Sequence, residues 1–171
     1  MPFRGGTFLS AIAATLGACC SPVIAVFGFD AARLIPMAPP GVLPVANPDY
    51  EKGMLTSLQA GLRAVPPACD TLLFTLVDHP AITPGTVEIL LRSTASIAIP
   101  RYQGKRGHPV LTRRRIFEEF LAEPLTAKVR DVIDRHSPEI DYIEVEDPGI
   151  SDDIDNPQLY QNLLDREAAR R

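Results

Sequence analysis

The chain has 171 residues, 46% of them apolar, and a net charge of −4 at neutral pH. A chain of this length is expected to form a single domain, residues 1–171, with its own core. The mild acidity argues against a general nucleic-acid-binding protein, and no apolar run reaches the ~18 residues that a membrane span requires. The three cysteines lack a metal-ligand spacing, so we expect buried or half-buried thiols in a reducing compartment.

The first apolar segment, FLSAIAATLGACC at 8–20, admits two interpretations. An upstream arginine, an apolar stretch and a Leu-Gly-Ala-Cys run are typical of a bacterial lipoprotein signal. The spacing of Phe8, Ile12 and Leu16 instead predicts an amphipathic helix over 8–18. A buried strand is expected soon after Cys19, where a lipoprotein would keep a polar spacer. On local features both interpretations stay open.

The rest of the chain alternates apolar runs with segments of helical periodicity. Strands are predicted at 23–28, 42–47, 71–77, 96–102, 108–112 and 141–146. Helices are predicted at 53–65, from Thr83-Pro84 onward, at 116–123, at 127–136 and from Asn156-Pro157 to about 166. This alternation is typical of an α/β fold with a mostly parallel sheet and helices on both faces.

One carboxylate follows the most apolar of these strands. Asp78 ends the run in LVDHP, and ligands of parallel sheets bind beyond the carboxyl ends of the strands. A carboxylate at this place suits a ligand or a metal better than it suits packing. The alternative is an aspartate that caps a helix or orders the loop.

Two further stretches are strongly polar. RYQGKRGHPVLTRRR at 101–115 concentrates basic residues of the kind that hold phosphates, although a solvated basic loop would look the same. EDPGISDDIDNPQLY at 146–160 crowds four aspartates before a helix. Crowded carboxylates suit Mg²⁺, and the alternative is a set of capping and turn residues.

Four segments together resemble one family, the MobA-like nucleotidyltransferases, and most nearly its molybdenum cofactor cytidylyltransferase group. They occur in the family's order: NPDYEKGMLTSLQAGL (47–62), LFTLVDHPAITPGTV (73–87), PRYQGKRGHPVL (100–111) and DIDNPQLY (153–160). The resemblance implies a three-layer, Rossmann-like α/β fold of the nucleotidyltransferase or GT-A-like kind. It implies Mg²⁺-dependent transfer of CMP or GMP from CTP or GTP to a phosphorylated, molybdopterin-type acceptor, with release of pyrophosphate.

The resemblance also assigns roles to individual residues. Asp78 would be catalytic and would hold Mg²⁺ together with Asp155. The nucleotide would be contacted by Asn47, Gly53, Met54 and Ser57. The acceptor side would be formed by Lys105, Gly107, His108 and Pro109.

The chain departs from the family pattern at its start. The family opens with a strand and a glycine-rich loop that cradles the triphosphate, and MPFRGGTFL corresponds to the segment after that loop. Residues 8–18 then match the family's first helix, which favours the helical interpretation and a cytoplasmic protein. We expect a sheet that lacks its first strand, with open edges where another chain could add and form an oligomer. Without the loop, transfer should be slower than an ordinary enzyme rate.

Two classes of function stay open. One is an enzyme, or enzyme fragment, of the cytidylyltransferase kind. The other is a catalytically inactive descendant that binds a nucleotide or a partner without turnover. A sugar-nucleotide transferase, suggested by the Asp153-Ile154-Asp155 pattern, is a minor alternative. Neither nucleic acid nor a membrane is expected as a partner.

Overall fold

Strands and helices alternate over residues 1–169, the part of the chain that the computed structural model describes. The strands are β1 (Pro2–Phe3), β2 (Gly6–Thr7), β3 (Val23–Phe27), β4 (Val42–Ala46), β5 (Thr71–Phe74), β6 (Ile97–Tyr102), β7 (Lys105–Arg106), β8 (Val110–Arg113) and β9 (Ile140–Glu144). The α-helices are α1 (Phe8–Gly17), α2 (Ala31–Leu34), α3 (Met54–Arg63), α4 (Pro84–Leu91), α5 (Arg114–Ala122), α6 (Val129–Arg135) and α7 (Pro157–Ala168).

The predicted first helix is confirmed as α1. It begins with a capping box, in which the Thr7 side chain accepts a hydrogen bond from the Ser10 N–H and the Ser10 hydroxyl accepts one from the Thr7 N–H. Phe8 and Ile12 are buried, as the four-residue spacing predicts. Phe8 packs in a cluster with Phe3 of the short hairpin formed by β1 and β2. The apolar face of this segment is therefore part of the folded core.

The strands form a sheet that is split in two. β3 pairs with β4 in parallel, while β5, β8, β6 and β9 form the larger part, with β7 continuing the β6 hairpin. Within residues 1–169, no ladder joins β3 to β5. The predicted α/β architecture is confirmed, and its sheet is mixed because β8 runs antiparallel to both β5 and β6.

The helices bridge the break between the two sheets. α3 packs on β3 and β4, and its Leu58 and Leu62 lie in the same apolar cluster as Leu72 and Phe74 of β5. α1 contacts both β3 and α4. Every residue of β5 is half-exposed, whereas β6 is fully buried over Ile97–Pro100. β5 pairs with β8 on one side only, so its other edge is open within residues 1–169.

The strand predicted over 71–77 is shorter in the structure and ends at Phe74. The ladder between β5 and β8 stops at the pair Phe74–Val110. The next partner in this antiparallel register would be Pro109, which has no N–H to donate, and the His108 N–H instead donates to the Ile150 carbonyl at 2.8 Å. Asp78 consequently lies in a turn beyond the strand rather than at its last residue.

A cluster of four titratable side chains, Arg115, Glu119, His136 and Glu139, lies at the C-terminal end of α6. Both ring nitrogens of the buried His136 contact carboxylates: Nε2 lies 2.7 Å from Glu119 and Nδ1 lies 3.1 Å from Glu139. Arg115 also bonds Glu139, at 2.5 Å. The hydrogen bonds to Glu119 and then Glu139 raise the pKa of His136 above its ordinary value. The pKa of Glu139 is lowered in turn, first by the bond from His136.

We expect this cluster to stabilise the protein most at mildly acidic pH. Because the folded state holds the His136 proton more tightly than the unfolded chain, the stabilisation is fully present below the unfolded pKa of about 6.5. It is lost as the pH rises through the folded pKa. His136→Gln should therefore lower Tm more at pH 6 than at pH 9 in thermal denaturation followed by circular dichroism. An equal loss of Tm at both pH values would contradict the assignment.

Candidate functional site

The turn that carries Asp78 is joined to the acidic loop before α7. The Ile154 N–H donates to the Asp78 carbonyl at 2.9 Å, so the residue preceding Asp155 lies directly against the Asp78 turn. The Asp78 side chain is 35% exposed, and its Oδ1 is buried with no hydrogen-bond partner in the described part of the chain. The two segments predicted to hold a metal are thus brought together.

Asp147, the first aspartate of the acidic loop, has a structural role. It is buried, and its Oδ2 accepts hydrogen bonds from the Thr83 N–H, the Thr83 hydroxyl and the Thr86 hydroxyl at 2.7–2.9 Å. Its Oδ1 accepts from the Gly149 N–H at 2.9 Å. These bonds satisfy the first turn of α4 and fasten the helix to the acidic loop. The capping alternative is the correct one for this residue.

The other aspartates of the loop divide into two kinds. Asp152 forms a two-armed ion pair with Arg166 of α7, and its hydrogen bond raises the pKa of that guanidinium. Asp153 and Asp155 are exposed. With Arg166 and Asn162 they line an open cavity of about 400 Å³ between the loop and α7. Asp153 and Asp155 are therefore the loop aspartates most accessible to a cation.

The segment predicted to lie on the acceptor side packs against the same loop. A Cβ on Gly107 would come within 2.1 Å of the Ile150 carbonyl oxygen, so only glycine fits there. The Gly107 N–H donates to Pro100 and the His108 N–H donates to Ile150. Pro109 is buried beside them, whereas Lys105 is exposed on β7.

Two histidines meet beside Asp78. The His79 and His108 ring centroids are 4.6 Å apart, and His79 Nε2 lies 3.7 Å from Asp78 Oδ1. Burial lowers the pKa of both rings, and that of His108 falls to about 4, with His79 as the second cause. Both rings are therefore neutral at pH 7. The sequence did not predict His79 as a site residue, because its contact with His108 depends on the tertiary fold.

Two of the predicted nucleotide ligands hold their own loop together. Asn47 is buried, and its amide donates to the Thr56 and Ser57 hydroxyls at 2.9 and 3.0 Å. Its carbonyl oxygen accepts from the Asp49 N–H at 2.9 Å. These bonds run within the segment 47–57 and tie the end of β4 to the start of α3. That Asn47 and Ser57 contact the nucleotide stays a prediction. Their hydrogen bonds to each other favour a role in holding the 47–57 segment in shape.

The other two predicted nucleotide ligands are accessible. Gly53 has φ of +121°, a conformation that favours glycine, and nothing lies within 4 Å of the position of a Cβ. Met54 begins α3 and is 49% exposed. A ligand could therefore approach the backbone and side chain at the start of α3.

The described residues limit the kinds of site that are possible. Within residues 1–169, every helix falls short of the length and apolarity needed to cross a membrane. In the same residues, no three His, Cys, Asp or Glu side chains are grouped so as to hold a metal ion. Mg²⁺ often needs only one or two protein carboxylates, because substrate phosphates and water complete its shell. A metal at Asp78 and Asp155 would have to be of this substrate-assisted kind.

Relatives of known sequence and structure are similar over nearly the whole chain. Molybdenum cofactor cytidylyltransferase of Escherichia coli K12 is 27% identical, over 97% of this chain and 86% of its own. Rv0371c of Mycobacterium tuberculosis H37Rv is 26% identical with a TM-score of 0.81, covering 96% of this chain and 87% of that one. Its manganese complex has a TM-score of 0.78 and 25% identity, covering 96% and 90%.

A more distant structure agrees with this fold. A nucleotidyl transferase of Methanothermobacter thermautotrophicus, Mth528, has a TM-score of 0.82 at 20% identity, covering 100% of this chain and 85% of that one. The family model described as the MobA-like NTP transferase domain matches residues 1–140, which is more than half of the chain. The chain therefore belongs to the MobA-like NTP transferase family.

Proposed function

We propose that residues 1–171 act as a single-domain, Mg²⁺-dependent nucleotidyltransferase of the cytoplasm. The reaction is transfer of CMP or GMP from CTP or GTP to a phosphorylated, molybdopterin-type acceptor, with release of pyrophosphate. The observation that carries this proposal is the hydrogen bond from Ile154 to the Asp78 carbonyl. It joins the Asp78 turn to the Asp155 loop, and Gly107 and His108 pack on that same loop.

Asp78 and Asp155 are the residues that would hold the metal. Asp78 Oδ1 has no hydrogen-bond partner among the described residues, and Asp155 is exposed, with one oxygen accepting from the Asn156 amide at 2.8 Å. Hard carboxylate oxygens suit Mg²⁺, and the manganese complex of Rv0371c supports a divalent ion in a relative. When bound, the ion would neutralise charge on the phosphates and on the departing pyrophosphate.

The proposed binding site for the acceptor includes His108, near Asp78, and the basic residues of β7. His108 is neutral at pH 7 because burial lowers its pKa to about 4, so its ring can bind a polar group without repelling a cation. Lys105 and its neighbour Arg106 lie exposed on β7. Their positive charges would attract a phosphorylated acceptor to this end of the sheet.

A second candidate function is nucleotide or partner binding without turnover. The residues before α1 form the β1–β2 hairpin, and the Tyr160 hydroxyl on α7 donates to the Pro2 carbonyl at 2.6 Å. Binding through Asp78 and Asp155 would not require a phosphate site in this hairpin, whereas turnover would require a site that stabilises the departing pyrophosphate.

Asp78→Asn should weaken Mg²⁺-dependent binding of CTP or GTP by at least about tenfold, because it removes the charge of one metal ligand. Isothermal titration calorimetry with and without Mg²⁺ measures this. Asp131→Asn, an equal charge change on the exposed start of α6, is the matched control. Pyrophosphate release by the unmodified chain then separates an enzyme from a binding protein. Unchanged Mg²⁺-dependent affinity in Asp78→Asn would refute the metal assignment.

Asn47→Ala should lower the free energy of unfolding by about 1–3 kcal/mol, because the Asp49 N–H loses its acceptor and the Thr56 and Ser57 hydroxyls lose the Asn47 donor. Urea denaturation measures the loss. Asn162→Ala removes one exposed side-chain bond, to Gln158 at 3.0 Å, and should change the stability by less than about 0.5 kcal/mol. If Asn47→Ala were as stable as this control, the supporting role of Asn47 would be wrong.

The open edges of β3 and β5 are proposed as the place where a second copy adds and forms an oligomer. Unpaired backbone N–H and C=O groups along a strand edge favour pairing with another chain. Multi-angle light scattering over a range of protein concentration should therefore detect a dimer or larger species. A monomer at every concentration up to the millimolar range would contradict this proposal.

A further inference from the structure

The most exposed large apolar side chain of the described residues belongs to Phe29, which is 74% accessible to solvent. It comes shortly after β3, beyond the carboxyl end of the strand. Exposing a phenyl ring to this degree is unfavourable. A single exposed apolar side chain is common on protein surfaces. The Phe29 ring differs because neighbouring residues fix its position.

A second ring lies beside Phe29 because of Gly28. The Phe29 and Tyr50 centroids are 6.4 Å apart with an interplanar angle of 77°, an edge-to-face pair. A Cβ on Gly28 would come within 2.5 Å of the Tyr50 Cβ, so glycine is required for the Tyr50 ring to reach this position. The edge-to-face geometry leaves most of the Phe29 ring open to solvent.

The turn after Phe29 is held by its own contacts. Asp30 has φ of +54°, a left-handed conformation that is uncommon for a residue other than glycine. The Asp30 carboxylate forms an ion pair with Arg33 of α2. These features place Phe29 in a defined position rather than on a loose loop.

The ring pair lies where ligands of α/β sheets bind. Phe29 follows β3 and Tyr50 follows β4, and these two strands are parallel, so both rings are at the carboxyl edge of this sheet. Tyr50 also belongs to the same loop as the accessible Gly53 and Met54. Asp30 follows Phe29 in the chain, and Asp49 and Glu51 flank Tyr50.

We propose that Phe29 and Tyr50 form an aromatic platform on which a flat heteroaromatic ring of the substrate stacks. This inference rests on the proposed function, which supplies two such rings: the base of CTP or GTP and the pterin of the acceptor. The neighbouring Gly53 and Met54 favour the base. Aromatic side chains stack on every base with little discrimination. The platform would therefore supply binding energy, and neighbouring polar groups would determine which base is bound.

The chain contains no tryptophan, so Phe29→Trp creates a unique fluorescent reporter at the platform. CTP, GTP, neopterin and inorganic triphosphate would each be titrated in the presence of Mg²⁺. Ile89→Trp is the matched control, because Ile89 is an exposed apolar side chain on α4, which packs on β6 of the other sheet. CTP and GTP should quench the indole fluorescence of the Phe29→Trp variant in a saturable manner, whereas triphosphate should not. The fluorescence of the Ile89→Trp variant should be unaffected by all four.

Phe29→Ala extends the test to affinity. Calorimetry should give Kd values for CTP and GTP that are about 5- to 150-fold higher, the usual range for a lost base-stacking contact, with no change for triphosphate. Ile89→Ala removes an exposed apolar side chain from α4 and should leave all Kd values unchanged.

The results of these experiments distinguish a failure of the platform proposal from a failure of the proposed function. Saturable quenching of the Phe29→Trp variant by neopterin alone supports the platform and assigns it to the acceptor ring. Binding of CTP or GTP that neither quenches the Phe29→Trp variant nor weakens in Phe29→Ala overturns the platform and leaves the proposed function standing. If calorimetry detects neither nucleotide nor neopterin binding to the unmodified chain, the proposed function and the platform are both refuted.

Discussion

One backbone hydrogen bond organises the candidate site: the Ile154 N–H donates to the Asp78 carbonyl at 2.9 Å. Asp78 lies after β5 and Asp155 lies before α7, so this contact joins segments that are far apart in the chain. Two restraints support it. Asp147 accepts four hydrogen bonds and fastens the same loop to the start of α4, and Gly107 lets the His108 segment close against Ile150. The chemistry proposed for the site depends on this junction.

The split sheet sets a second constraint. α3 packs on β3 and β4 and shares a core cluster with β5, so apolar helix packing holds the halves together where no strand ladder does within residues 1–169. The half-exposed residues of β5 bury less apolar surface than a covered central strand would. The most completely buried side chains lie on other elements of the larger sheet and on the helix beside it, among them Ile97 of β6 and Ile116 and Phe120 of α5. The Asp78 turn follows β5, at the margin of this better-packed part.

Local patterns in the sequence were enough to predict the main helices and strands. The four-residue spacing of Phe8 and Ile12 is a local pattern, and α1 begins where it indicates. The end of β5 was predicted wrongly, because it depends on Pro109 and on a bond from His108 to Ile150. For the same reason the sequence could not separate Asp147, with its four donors, from the exposed Asp155, nor detect the contact between His79 and His108. Each depends on partners that only the tertiary fold brings close.

The position of a bound divalent ion tests the shared metal site most directly. Crystals grown with Mn²⁺ and a non-hydrolysable CTP analogue would be measured at the manganese absorption edge. If Asp78 and Asp155 hold the metal together, the anomalous peak would lie within coordination distance of both carboxylates and of the nucleotide phosphates. A peak held by other residues, with Asp78 left without a metal contact, would contradict it.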